Sequence, residues 1–355
     1  MENNRLFRLR KLLAEKNADA VVVNKNENVH YFSGFYGDDS ALVITREKEY
    51  LITDSRYLEQ AAQQSKFPAV EQRKGLLTKI SEMIRADGIK TLAFETNALM
   101  YASYDALRQM LPGVNFSVPI NLDGLRIQKE PEEIELIKKA VAISDKAFEH
   151  IIEYIKPGLS EIDIAAELEH TMRRLGSERP AFTTIVASGK RGSLPHGTAT
   201  EKLILDGEFV TMDFGAVYKG YHSDITRTVC VGRASDKQKK IYDIVAQAQL
   251  LGIKSIKSET DGKTIDAPSR DFIKAAGYGS NYGHGLGHGV GLEIHELPRL
   301  SPLAQDVIIK KDMLVTVEPG IYIPDFGGVR IEDTTLVGER GAVILTKSTK
   351  ELMEI

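Results

Sequence analysis

Tyr282-Gly283-His284-Gly285-Leu286-Gly287-His288-Gly289-Val290-Gly291-Leu292-Glu293-Ile294-His295-Glu296 is the stretch on which the reading of this chain turns. Glycine fills every second position from Gly283 to Gly291, with His284 and His288 between. Histidines four apart normally share one face of a helix, as in H-E-x-x-H zinc sites. So dense a glycine run excludes a helix, because each glycine costs roughly 1 kcal/mol in a helix interior relative to alanine. The backbone is therefore expected to be extended or irregular, bare of Cβ atoms, where imidazoles meet a metal or a substrate. A flexible linker is the competing reading, but linkers seldom carry three histidines ahead of an alternating apolar strand.

Outward from that run, the length of 355 residues makes two domains the default. A formal net charge of −4 argues against nucleic acid or an anionic membrane as partner. No apolar run approaches the roughly 20 residues a spanning helix needs. Met1 to Lys16 reads as a charged amphipathic helix through Leu6, Leu9, Leu12 and Leu13, not as a signal peptide. The single cysteine, Cys230, lies in Thr228-Val229-Cys230-Val231 and reads as a small core residue of a buried strand. A cytoplasmic protein is the expectation.

Residues 19–23 and 41–53 read as strands, the second a hairpin turning at Arg46-Glu47-Lys48. Helical patterns cover about 55–65, 76–87 and 101–110, with a short strand at Thr91-Leu92-Ala93-Phe94. This alternation predicts an α/β unit over 1–125. Glu130-Pro131-Glu132-Glu133 opens a long helix that Pro157-Gly158 stops, and Ser160 with Asp163 caps the next. The second domain is expected to span 126–355.

Two hairpins carry the chemistry. Val210–Ala216 and Tyr221–Val229 read as paired strands, and a loop at Tyr218-Lys219 would set Asp213 directly opposite Asp224. Carboxylates so close repel as anions, and one takes a proton unless cations neutralise them. Leu314–Gly320 and Val329–Asp333 repeat the pattern, and a turn centred on Asp325 puts Glu318 opposite Glu332. Pro319 has no N–H for a ladder, so an edge or bulge is expected there. Four carboxylates and one neutral imidazole balance two divalent cations. Oxygen-rich ligation favours Mn²⁺, with Co²⁺ or Zn²⁺ as alternatives. His222 is expected to be exposed in the tight turn, and His30, His150 and His170 to be surface or capping residues.

Met212-Asp213-Phe214-Gly215, Ser223-Asp224-Ile225-Thr226-Arg227-Thr228, the histidine run, Val317-Glu318-Pro319-Gly320 and Gly328–Asp333 together resemble the pita-bread metallopeptidases. That family comprises prolidase (Xaa-Pro dipeptidase), aminopeptidase P and methionine aminopeptidase. The resemblance covers roughly 130–355, and the first 125 residues are similar in length and pattern to the extra amino-terminal domain of the proline-specific members. It implies an amino-terminal ribonuclease-H-like α/β domain followed by a catalytic domain with a pseudo-twofold antiparallel sheet.

The resemblance implies metal ligands at Asp213, Asp224, His288, Glu318 and Glu332. Asp224 would bind one ion bidentately, with Asp213 and Glu332 doing most of the bridging. A water or hydroxide bridging two ions would be the nucleophile, Glu318 would handle its proton, and His295 would stabilise the tetrahedral intermediate. His196 and His284 match further active-site histidines, and Phe182 and Ile294 match positions lining the proline pocket. Arg299 is the candidate for a substrate carboxylate. Arg330 is the alternative, with neutralisation of the metal carboxylates its other role. The expected activity is a Xaa-Pro dipeptidase on proline-containing dipeptides. Aminopeptidase P on longer peptides is the alternative, and a non-catalytic binding protein of the same fold is the rival class. A homodimer is implied.

Overall fold

The computed structural model describes residues 4–304 and 307–355, in two compact units, 4–126 and 127–355. The amphipathic start forms the helix Asn4–Glu15, burying Leu6, Leu9 and Leu13; Met1–Asn3 lie outside the described residues. The first unit is built on a six-stranded mixed sheet, in the spatial order 69–71, 49–53, 41–45, 20–23, 91–95, 115–120. The central strand Ala20–Val23 is buried along its whole length, and this explains its unbroken apolar run. The hairpin at 46–48 and the helices Leu58–Gln64, Leu76–Ala86 and Tyr101–Met110 stand where the sequence places them. The helix Asn26–Ser33 and the strands Ala69–Glu71 and Asn115–Ile120 are not anticipated by periodicity. Each is short, and its pattern is set by tertiary contacts.

The second unit writes one order twice: two helices, then antiparallel strands. Pro131–Tyr154 and Glu161–Arg174 precede the strands Ile185–Ser188, Phe209–Phe214 and Ile225–Cys230. Asp236–Ser255 and Gly262–Ile273 precede a five-stranded sheet, ordered 296–300, 287–289, 314–317, 333–337, 342–344. Reciprocal side-chain caps start three of the four helices, pairing Glu130 with Glu133, Ser160 with Asp163, and Ser235 with Gln238. The first helix pair packs Ile143, Phe148, Ile151 and Leu168 onto Val210, Met212, Phe214 and Val229. Cys230 is buried in this strand layer, and burial pushes its thiol up to about 11, which suits a core residue and not a nucleophile. No helix among the described residues is long and apolar enough to cross a membrane.

Candidate metal centre

The glycine run is explained by its neighbours. Gly287–Gly289 is a strand between Glu296–Leu300 and Leu314–Val317. A Cβ on Gly287 would lie 2.0 Å from the Thr316 carbonyl oxygen, and one on Gly289 2.3 Å from that of Leu297. Only glycine admits such close backbones, so His288 emerges from a tightly clamped strand. Its Nδ1 lies 3.0 Å from the Gly289 carbonyl and donates to it, which leaves Nε2 turned to the carboxylates. That Nε2 faces Glu318 Oε1 at 3.3 Å and Asp224 Oδ2 at 3.5 Å.

The first hairpin turns one residue later than the sequence suggests. Tyr218 pairs with Tyr221, so Lys219-Gly220 is the loop, and both residues have positive φ (48° and 80°). That is the type I′ geometry that favours glycine at its second position. Asp213 therefore pairs with Thr226, and Asp224 lies two residues along on the diagonal. A slip of two keeps the same face, so the carboxylates still converge. In the second hairpin, Gly320 pairs with Arg330 and Val317 with Asp333, which puts Glu318 across from Glu332 in the gap between the two ladders. Pro319 sits in that gap.

These side chains form one buried cluster. Asp224, His288 and Glu332 each offer a ligand atom within 4.8 Å of the others. Burial, then the neighbouring carboxylates of Glu332, Asp213 and Glu318, push Asp224 well above the usual carboxylate range; burial with Glu318 and Asp213 does the same to Glu332. Asp213 is also raised by burial, against the opposing pull of Arg330. Asp213 Oδ1, Asp224 Oδ1 and Glu332 Oε1 are buried with no hydrogen-bond partner. Orphaned, mutually repelling carboxylate oxygens gathered beside an imidazole fit divalent cations. Asp224 shares the cluster with both His288 and Glu332. Asp213 Oδ2 is held by Arg330 at 2.6 Å.

Arg330 is 3% exposed and donates to Asp213, to Thr226 Oγ1 at 3.0 Å, to the Pro195 carbonyl at 3.2 Å and to Tyr322 Oη at 2.9 Å. Its guanidinium is spent on the protein, so the substrate-binding alternative for Arg330 is set aside. Arg299 is exposed and pairs with His288 across the strands. The His295 ring lies 4.3 Å from that of His288; burial, then the charges of His288, Arg299 and His196, lower its proton affinity. His196 is exposed; Phe182 and Ile294 are partly exposed. His284 Nδ1 lies 2.8 Å from the Gly285 carbonyl, so its Nε2 accepts from Tyr322 Oη at 2.9 Å.

His222 is not exposed: it is 4% accessible, and its Nδ1 lies 3.2 Å from the Gly291 carbonyl. The turn is covered by the glycine run. His30 is half-buried, packed edge-on to Tyr36, whereas His150 is exposed and pairs with Glu167.

Three orienting residues escape the sequence reading. Thr226 Oγ1 donates to Glu332 Oε2 at 2.8 Å, Thr316 Oγ1 donates to Glu318 Oε1 at 3.0 Å, and Tyr322 links Arg330 to His284. The threonines stand two residues from Asp224 and Glu318 respectively, so the period-two alternation was the signal available for them.

A two-unit fold with a buried carboxylate–imidazole cluster of this kind defines a metal-dependent hydrolase. The profile of metallopeptidase family M24 matches residues 135–339, and that of the creatinase/prolidase N-terminal domain matches 5–127. A Xaa-Pro dipeptidase of Pyrococcus furiosus is 42% identical, over 98% of this chain and 99% of its own. A solved Xaa-Pro dipeptidase of Bacillus anthracis superposes with a TM-score of 0.95 at 44% identity, covering 99% of both chains. An X-Pro aminopeptidase of Thermotoga maritima gives 0.93 at 37% identity, over 99% of this chain and 100% of its own. The chain belongs to metallopeptidase family M24.

Proposed function

We propose that this chain is a Xaa-Pro dipeptidase, with its divalent cations held by Asp213, Asp224, His288, Glu318 and Glu332. The observation that carries the metal-dependent reading is the set of buried carboxylate oxygens, Asp213 Oδ1, Asp224 Oδ1 and Glu332 Oε1, that lack a hydrogen-bond partner, with His288 in the same cluster. The Pyrococcus and Bacillus relatives, named Xaa-Pro dipeptidases and matched over nearly the whole chain, support the substrate class. The oxygen-rich donor set favours two Mn²⁺ ions. The resemblance to the proline-specific members further supports a homodimer, and the lone buried cysteine suits a cytoplasmic protein.

Cations bound there supply Lewis acidity and an acidified water. The rest is the work of side chains. Glu318, whose Oε1 accepts from Thr316 Oγ1 at 3.0 Å and faces His288 Nε2 at 3.3 Å, is the carboxylate that takes the proton of the attacking water. His295, kept largely neutral, donates to the charge developing on the scissile carbonyl oxygen. Phe182 and Ile294 offer apolar surface to the pyrrolidine, and His196 and His284 flank the reacting bond. The amide before proline lacks an N–H, so recognition rests on ring shape instead of a backbone hydrogen bond.

A free carboxylate after proline distinguishes a dipeptide from a longer peptide, and Arg299, the cross-strand partner of His288, is our candidate guanidinium for it. With Mn²⁺ present, a Xaa-Pro dipeptide should be cleaved faster than Xaa-Pro-Yaa. Arg299→Ala should raise KM for the dipeptide about ten-fold and leave a substrate amidated after proline nearly unaffected. Faster cleavage of the tripeptide, or equal loss on both substrates, makes the chain an aminopeptidase.

A further inference from the structure

Lys129 and Glu296 form an ion pair at 2.8 Å whose side chains are 1% and 5% exposed. An ion pair so withdrawn from water is poor evidence for stability, since desolvation offsets most of the attraction. Its location is more telling. The Glu296 carboxylate is wrapped by the turn that precedes it: Oε1 accepts the Glu293 N–H at 3.1 Å. Oε2 lies 2.6 Å from where a Cβ on Gly291 would stand, so glycine is needed to admit it. The Gly291 N–H donates to the Glu293 carbonyl at 3.0 Å, and the Gly291 carbonyl accepts the His222 N–H at 2.8 Å. Residues 291–296 thus close around one carboxylate, and Lys129 supplies the neutralising charge. Ile294 and His295 ride on this turn between its clamped points.

We infer that Lys129 and Glu296 are a positioning pair: they fix the turn that aims His295 at the reacting carbonyl, and so set kcat without holding metal. This rests on the proposed role of His295. Without Lys129 the buried carboxylate loses this cation, and the turn that wraps it shifts to hydrate it.

The test uses the Mn²⁺-loaded enzyme and a Xaa-Pro dipeptide. K129M and the near-isosteric E296Q should each lower kcat about ten-fold, with metal content close to wild type. K129M/E296Q, in which both charges of the pair are removed together, should recover a good part of that loss. In an H295A background, K129M should cost nothing further, because the pair acts through His295. Normal kcat in both single variants with only Tm lowered overturns the inference, as does an equal K129M loss with and without His295. Should wild type fail to cleave the dipeptide, the functional reading falls instead. The His295 ring resonances, compared between wild type and E296Q, then decide this one: unchanged shifts overturn it.

Discussion

At Asp224 the fields of Glu332, Asp213 and Glu318 add to the cost of burial, and together they raise its proton affinity strongly. A carboxyl raised in the folded state stabilises the fold at acid pH, and that stability is lost as pH rises through the folded value. In chelator near pH 7, Asp224→Asn should therefore melt above wild type, by on the order of 1 kcal/mol or more, since it removes one of the repelling charges. With Mn²⁺ the order should reverse, because wild type gains a bound cation and the variant does not. Thermal melts with and without chelator check both halves; a variant that melts lower in chelator would show that the cluster is not repulsive. His30 behaves oppositely. Burial, then the charge of Arg5, holds it down to about 4, below its ordinary 6.5. Its contribution is present above the unfolded value and lost as pH falls from about 6.5 towards 4, at most about 3 kcal/mol. His30→Gln should flatten that part of the acid unfolding curve. A curve unchanged by the substitution would place the acid loss elsewhere.

Among the elements, the glycine-lined strand shows both what the sequence discloses and where it stops. Alternating glycine excluded a helix and required close backbones, and the structure supplies them on both sides of Gly287–Gly289. Gly287→Ala should then cost roughly 1–3 kcal/mol through overpacking and displace His288, lowering Mn²⁺ affinity as well as Tm. Calorimetric titration with Mn²⁺ measures the first and thermal melts the second; wild-type values for both would mean that the strand tolerates a Cβ. Hairpin phase was less legible. Asp213 and Asp224 converge as expected, but through a turn at Lys219-Gly220 and a diagonal pairing, because period-two alternation fixes the face of a strand and not its register. The alternation places Glu318 and Glu332 correctly, since the turn at Asp325 and the break at Pro319 are both marked by their residues. Tyr322 and Arg330 sit in the same hairpin, yet their link to His284 depends on packing that no local pattern encodes.

For the whole molecule, the helix boundaries and the strand runs were readable because caps and apolar periods are local. The repetition of helix, helix and strands within the second unit was not, because the two halves share order without sharing residues. That repetition divides the ligand set. Asp213 and Asp224 come from the strands of the first half, and His288, Glu318 and Glu332 from those of the second. Neither half holds the full set, so a site built from all five spans the seam between them. Any binding to the joined state alone strengthens it with the logarithm of the free ligand concentration, by about 2.7 kcal/mol at a hundred times the dissociation constant. Severed in the connection 231–235, the halves should therefore reassociate more tightly in Mn²⁺ than in chelator, as measured by fragment titration. Equal affinity in both would mean that apolar packing alone joins them. The ion would then be more than a reagent. It would be a rivet, and metal supply in the surroundings would govern how long the molecule lasts as well as how fast it works.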